Sequence, residues 1–595
     1  MGAATTMVEV GKMEFFFDQA PVGMKSLGSS FSTTSVGLGN FLSSFLLSTV
    51  EKITGKGGMN GWIENNLDES HLDCYYGFLA VFSILNLIMF LVVSKFFVYN
   101  LEMLAYFGIA PNLVIYLTQE LHQGTISSSN NVTNWTGTIL MIPILAAYLA
   151  DTYLGRYWTF LFSSLIYLLG MILLTLSVSL HSLRPSPCNS LYTEDCSGTT
   201  KHIQVVIFFL SLYIVALGIG GTKATLITMG AEQFDISKDS ERSQTPSFFN
   251  WWSISIFCGN LFSCIVLVYI QDNVGWSVGY AIPTIVLGIA IIIFIVGTPF
   301  YRHKPPSGSA LTSMIRILVE ASRKWWLQVS CPSKQVQEAK QLLKLLPIFF
   351  VTIVPSIMLA QVITLFVKQG TTLDRSIGPA FSVPTASLTS FFSFSSLISL
   401  VFYDRYVVKW MRKLTKNPRG ISTLQRIAIG QGLHVITMIV AASIESWRLA
   451  KVGPLSFVVL CPQFVLMGAA TTMVEVGKME FFFDQAPVGM KSLGSSFSTT
   501  SVGLGNFLSS FLLSTVEKIT GKGGMNGWIE NNLDESHLDY YYGFLAVLSI
   551  LNLIMFLAVS KFFVYNNSDV VHQLETIFVE SNVQIVPEAE ISEKS

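Results

Sequence analysis

The sequence predicts an all-α membrane protein made of two six-helix halves, with an extra partial repeat at the N-terminus. Three observations predict it. Of 595 residues, 51% are hydrophobic and 12% charged, half the charge of a soluble domain at roughly 25%. Roughly twelve apolar runs of about 20 residues follow residue 96, each long enough to cross a bilayer as a helix. Residues 1–100 recur as residues 467–566, and the copies differ only at Cys74/Tyr540, Phe82/Leu548 and Val92/Ala558. Strand-like alternation of apolar and polar residues is absent, which argues against a barrel.

The repeat governs how the chain is divided. Cores accept many apolar substitutions at each position, so near-identity over a hundred residues reflects recent duplication and not a demand of packing. A solenoid needs at least a third copy, and there is none. Met467, the counterpart of Met1, lies in a largely apolar run from Phe457, so the head reads as a severed tail, and residues 101–595 are expected to carry the function. The expected divisions are 1–100, the duplicated C-terminal helices; 101–300, the N-terminal six-helix half; 301–341, a cytosolic linker; 342–566, the C-terminal half; and 567–595, a tail rich in Glu and Ser that is expected to be disordered. Tyr75 to Leu117 forms an apolar stretch about twice a bilayer span. It must bend near Ser94, Lys95, Asn100 and Glu102, or leave one part outside the bilayer.

Taken in order, the runs predict helices at 97–118, 132–150, 157–180, 203–229, 251–271 and 276–299. After the linker they predict helices at 342–366, 381–402, 421–443, 453–482, 492–515 and 540–564. Arg405, Lys409, Arg412, Lys413, Lys416, Arg419 and Arg426 crowd one loop, and Arg302, Lys304, Arg316, Arg323 and Lys324 add to the linker. The segment from Gln119 to Asn131 has no Lys or Arg, so the positive-inside rule puts both ends in the cytosol. Leu311 to Val329 suits an amphipathic helix on that surface. The sequons at Asn131 and Asn134 would face the other side, too near the membrane to be glycosylated. Cys188 and Cys196 share a polar loop in which a disulfide or two free thiols are equally expected. The net charge of -1 provides no basic stripe for nucleic acid.

Dense motifs then carry a resemblance. Phe248-Phe249-Asn250-Trp251-Trp252, Gly218-Ile-Gly220-Gly221-Thr-Lys223, Gly230-Ala-Glu-Gln-Phe-Asp235, Thr364-Leu-Phe-Val-Lys368-Gln369-Gly370 and Pro418-Arg419-Gly420 resemble signatures of the proton-coupled oligopeptide transporters. Within them, the chain is similar to the plant nitrate transporter 1/peptide transporter branch. Val474-Glu475-Val476-Gly477-Lys478-Met479-Glu480-Phe481-Phe482 is most similar to a stress-induced peptide transporter clade of that branch. The resemblance covers about 101–566 and implies a major facilitator-type fold with a substrate cavity between its halves. Each motif also has a plainer physical reading. Phe248 to Trp252 suits an aromatic anchor at the membrane surface, and glycines 218–221 suit close helix packing. They lack the ending of a phosphate-binding loop.

Charges inside apolar runs cost several kcal/mol unless paired or hydrated, so they mark function by default. Glu102 and Lys223 lead. The resemblance implies a first-helix Glu-x-x-Glu-Arg cluster that shares protons with a fourth-helix lysine, and Glu102 and Lys223 occupy two of those positions. Protonation of Glu102 would free Lys223 for an anionic group. Tyr99 stands at the first glutamate and Met103 at the arginine, so two of three cluster charges are gone. Tyr99 comes from the duplicated segment; Met103 does not. Tyr106, Gln361, Thr364, Thr471 and Glu475 are the expected substrate-cavity residues. Thr471 stands where many relatives have a tenth-helix glutamate; Glu475, one turn along, either replaces it or pairs with Lys478. Leu359 stands where a nitrate-transporting relative has a histidine. Asp151 and Arg156 match the gating loop motif, with a solvated turn as the plain alternative.

The expected function is proton-coupled symport of di- and tripeptides, with the proton as coupling ion and no cofactor or metal. A carrier of nitrate or another small anion or metabolite, an inactive fusion product and a non-transporting sensor are the alternatives. The expected partners are a small-molecule substrate and the lipid bilayer of the plasma or vacuolar membrane, with oligomeric state open. An enzyme is not expected, because the histidines are isolated and no Ser/His/Asp or metal-ligand spacing emerges.

Overall fold

The structure is a computed structural model that describes residues 104–184, 202–231, 256–257, 259–301, 334–377, 381–415, 421–451, 453, 455–486, 491–521 and 527–563. The duplicated head, Tyr99, Glu102, Met103, most of the linker, the tail, the Cys188–Cys196 loop and the Phe248–Trp252 motif lie outside the described residues. In the N-terminal half run α1 (Leu113–Gln119), α2 (Thr125–Leu149), α3 (Arg156–Ser179), α4 (His202–Ala231), α5 (Val268–Asn273) and α6 (Trp276–Val296). The other half holds α7 (Lys334–Val351), α8 (Val354–Ala360), α9 (Leu365–Gly370), α10 (Thr389–Phe402), α11 (Val408–Thr415), α12 (Thr423–Ala450), α13 (Cys461–Gln485), α14 (Lys491–Thr520) and α15 (Leu538–Phe562). A short hairpin, β1 (Ser376–Ile377) and β2 (Phe381–Ser382), precedes α10.

Eight described helices are long and apolar enough to cross a membrane, and a ninth span forms if the pair bent by 43° at residues 351–354 counts as one. That bend was expected as one straight run, 342–366. Pro355 breaks it, because proline has no N–H for the carbonyl four residues back. A second departure is α2, which begins at Thr125 and not at 132. The polar residues of its first two turns are helical because they are bonded, not because they are apolar. Asn130 Nδ2 donates to Ser514 Oγ at 2.8 Å and Asn131 Nδ2 to Gln123 Oε1 at 2.9 Å. The sequon asparagines Asn131 and Asn134 both lie inside this helix. A third concerns α14, expected at 492–515: it is helical throughout, yet too rich in Ser and Thr to be counted among the apolar spans. Its hydroxyls bond its own carbonyls, as Thr500 does to Ser496 O at 2.7 Å.

Helix α4 packs along α3 and also touches α2, and glycine makes this approach. A Cβ on Gly218 would lie 2.5 Å from the backbone of Tyr167 in α3, and one on Gly220 would lie 2.4 Å from Ile142 in α2. The close-packing reading of residues 218–221 is what the structure shows. Gly218→Val is expected to force α3 and α4 apart at a cost of about 1–3 kcal/mol; thermal unfolding in detergent should show a lower Tm than the native chain, and an unchanged Tm would contradict the packing role.

Across the two halves, α2 lies along α14, and Gly137 and Gly503 face each other so closely that a Cβ on either would come within 3.2 Å of the other's carbonyl oxygen. Thr125 N–H donates to Asn531 Oδ1 at 3.0 Å and Thr125 Oγ1 to Asn531 O at 3.2 Å. Asn260 Nδ2 donates to Ser393 Oγ at 2.7 Å. Tracing the helices from the end of α6 and the start of α7 places Thr125, Ser514 and Asn531 on the face away from the linker. Among the described residues, this distal face carries the Thr125–Asn531 and Asn130–Ser514 bonds between the halves.

Candidate functional site

Lys223 sits three-quarters of the way along α4, in the part nearer the linker. Its Nζ lies 4.0 Å from the centre of the Tyr106 ring. A cation above an aromatic face gains about 0.5–2 kcal/mol, more as water is excluded. The ring itself is held: Tyr106 stacks on Trp135 of α2 with centroids 6.2 Å apart, and Trp135 Nε1 donates to Leu212 O of α4 at 2.9 Å. Residues 104–107, α2 and α4 thus form one cradle, in which Lys223 is half-buried and Trp135 fully buried. The structure brings Tyr106 and Lys223 together. Trp135 was missed, because it lies in Asn134-Trp135-Thr136 and was read only as part of a sequon; an indole within an apolar run was the available signal. Glu102, the expected proton site, lies outside the described residues.

The charges of α13 resolve one open alternative. Glu475 Oε1 lies 2.7 Å from Lys478 Nζ, so the two pair along the helix at three residues' spacing. The Lys478 side chain is 0% exposed and that of Glu475 is 27% exposed, so the lysine anchors the carboxylate from within. Lys478 Nζ also donates to Ser501 Oγ of α14 at 3.0 Å and lies 3.5 Å from Ser356 Oγ of α8. Glu475 keeps an accessible face despite the pairing. Thr471, one turn back, has a buried Oγ1 without a hydrogen-bond partner.

The two expected cavity residues of the seventh span are engaged in packing. Gln361 is buried, and its Nε2 donates to Ile357 O at 3.0 Å and to Ser509 Oγ at 3.2 Å. Thr364 is buried too, with Oγ1 donating to Ala360 O at 2.8 Å. Leu359 packs against the core of the C-terminal half. At the expected gate, Ala150–Leu154 continues α2 as a wider turn; Gly155, at φ +76°, reverses the chain so that α3 can start at Arg156. This left-handed conformation favours glycine. The Asp151 side chain lies outside the description. Arg156 is half-buried and engaged with neighbouring groups.

The distal face carries a site that the sequence did not suggest. Glu445, near the end of α12, is fully buried and accepts from Arg448 Nε at 2.9 Å, from Arg448 Nη2 at 2.8 Å and from Gln369 Nε2 at 2.6 Å. Arg448 continues to Asp534 and to Leu533 O, at 2.7 Å for the latter. Gln463 Nε2 donates to Gln369 Oε1 at 3.0 Å. One carboxylate therefore ties α9, α12, α13 and the loop before α15 together, and that loop holds Asn531, the residue that Thr125 binds. Among the described residues, no group of three or more metal-ligating side chains occurs.

Two helical halves bonded at one face, with a cationic cradle in one and a paired carboxylate in the other, suit transport. Comparison with known proteins decides the family, since residues 157–330 and 318–529 match the POT family, PTR2. The chain belongs to the POT family. It is 49% identical over 525 residues to Protein NRT1/PTR FAMILY 5.2 of Arabidopsis thaliana, an alignment covering 78% of this chain and 89% of that relative. With Protein NRT1/PTR FAMILY 5.3 of the same plant the identity is also 49%, over the same shares. Among solved structures, an auto-inhibited POT family peptide transporter superposes with a TM-score of 0.63 at 18% identity, covering 80% of this chain and 98% of that one. At that identity the match speaks for the fold alone. This POT family member is thus a multi-pass membrane transporter of major facilitator type and not an enzyme.

Proposed function

We propose that the chain is a proton-coupled symporter of small peptides that works by alternating access around a cavity between its halves. The observation that carries the reading is the Lys223 ammonium held above Tyr106, a half-buried cation on the fourth span for which an anionic group is the natural partner. In this reading Glu102 takes the proton. While ionised it pairs with Lys223; once protonated it releases the lysine to a substrate carboxylate, so that proton and substrate bind together. A proton moving inward gains about 2.3 kcal/mol per 100 mV, and the proton is the only coupling ion invoked. Glu475, held by Lys478 but partly open, is the acidic group on the opposite half that a peptide ammonium would meet, beside Thr471. The bonds between Thr125 and Asn531 and between Asn130 and Ser514 belong to an arrangement closed at the distal face. Asp151 and Arg156 would latch the alternative arrangement, in which the linker face closes.

The second reading is a carrier of nitrate or another small anion. It is favoured by the pairing of Glu475 with Lys478, which leaves the C-terminal half less anionic than a peptide ammonium prefers. Uptake into proteoliposomes with an inward proton gradient separates the two. Excess unlabelled dipeptide is expected to abolish uptake of labelled dipeptide while equimolar nitrate leaves it intact. Nitrate uptake that dipeptide does not compete with would establish the second reading.

A further inference from the structure

Pro355 leaves the carbonyl of Val351 without its usual donor four residues on. Asn552 of α15 fills that place: its Nδ2 donates to Val351 O at 3.0 Å and also to Gln431 Oε1 of α12 at 3.1 Å. This repair leaves a set of polar atoms facing one spot. Gln431 Nε2, both ring nitrogens of His434, Ser549 Oγ and Asn552 Oδ1 are buried and have no hydrogen-bond partner. All four residues are more than nine-tenths buried, and together with Val354 and Pro355 they line a small cavity of about 10 Å³.

We infer that this cavity is a binding site for one water molecule, which fastens the bend of the seventh span to α12 and α15. Size and chemistry both lead there. A single water needs roughly 10–15 Å³ and two to four polar partners. Buried polar groups left unpaired cost about 1–3 kcal/mol each, so one such atom from each of four residues around one cavity calls for an occupant. The mixture of groups selects which occupant. Gln431 Nε2 can only donate and Asn552 Oδ1 can only accept; a neutral imidazole brings one donor and one acceptor, and the serine hydroxyl does either. A cation could not accept from Gln431, and an anion would face Asn552 Oδ1. Water has two donors and two acceptors, enough for Gln431 Nε2, Ser549 Oγ, Asn552 Oδ1 and one ring nitrogen of His434. This inference is independent of which solute is transported, because none of its residues belongs to the proposed transport site.

The test compares Ser549→Val with Ser549→Ala by thermal unfolding of the full chain. Valine fills the cavity with a methyl group and displaces water, stranding Gln431, His434 and Asn552, whereas alanine removes one partner and leaves the water in place. The inference predicts a Tm for Ser549→Val several degrees below both the native chain and Ser549→Ala. A Tm for Ser549→Val equal to or above that of the native chain is the behaviour of a filled dry void and would overturn it. Should Ser549→Val fail to fold, an experimental density map of the native chain decides. A peak within about 3.2 Å of His434, Ser549, Gln431 and Asn552 supports the site, and a cavity without density refutes it.

Discussion

Replacing Lys223 with Gln is expected to abolish proton-driven uptake while leaving a folded protein in the membrane. The ammonium is the charge that Tyr106 and Trp135 hold in the cradle. Tyr106 and Trp135 would keep their stacking and the Trp135 bond to Leu212 O without it. A hydrogen bond to a charged group contributes about 1.5–3 kcal/mol, which at about 1.4 kcal/mol per decade is roughly ten- to a hundredfold in substrate affinity. Concentrative uptake and counterflow should both disappear, since the substrate anchor and the proton's counter-charge are the same group. If counterflow survives and only concentrative uptake is lost, Lys223 serves coupling without binding. Retention of both would remove the lysine from the site.

The second large effect is structural. Glu445→Ala is expected to lower stability by about 3–5 kcal/mol, because Arg448 loses two of its charge-assisted bonds inside the protein and Gln369 loses its acceptor. The loop before α15 would still be reached by Arg448, through Leu533 O and Asp534, but by an arginine no longer held in place by a carboxylate. Asn531 in that loop meets Thr125 of the other half, so distal closure should weaken together with stability. Tm measured in detergent, with protease accessibility of residues 527–537 as a second reading, checks both. A Tm within a degree of native would show that the buried carboxylate contributes nothing to the fold.

Much of the fold was legible because apolar runs of about 20 residues have one stable conformation in a bilayer. The expected 157–180, 203–229 and 276–299 match α3, α4 and α6 to within a few residues. Legibility failed where helices are polar. The start of α2 and most of α14 pack against each other through Asn, Ser and Thr, and hydropathy cannot see hydrogen bonds made in pairs. The bend in the seventh span had a local cause, Pro355, but that Asn552 would repair it from two hundred residues away could not be read from the sequence. Within the site, Lys223 stood out as a charge in an apolar run. Tyr106 gained its meaning only when the cation was found over its ring, and Trp135 only when it was found beneath Tyr106. The pairing of Glu475 with Lys478 was legible as one of two alternatives, since three residues' spacing on a helix permits it. The Glu445–Arg448 network was not, because its partners Gln369, Gln463, Leu533 and Asp534 come from separate segments.

The central claim is that a proton and a peptide move together through a site containing Lys223, and that Tyr99, standing where the family resemblance implies a glutamate, weakens this coupling. The direct measurement is dipeptide-evoked inward current in oocytes at mildly acidic pH, comparing the native chain with Tyr99→Glu. The account predicts a weak or absent current in the native chain, and a clear current in Tyr99→Glu that dipeptide evokes, nitrate does not, and raising the pH removes. Silence in both chains, or a current evoked by nitrate alone, would contradict it.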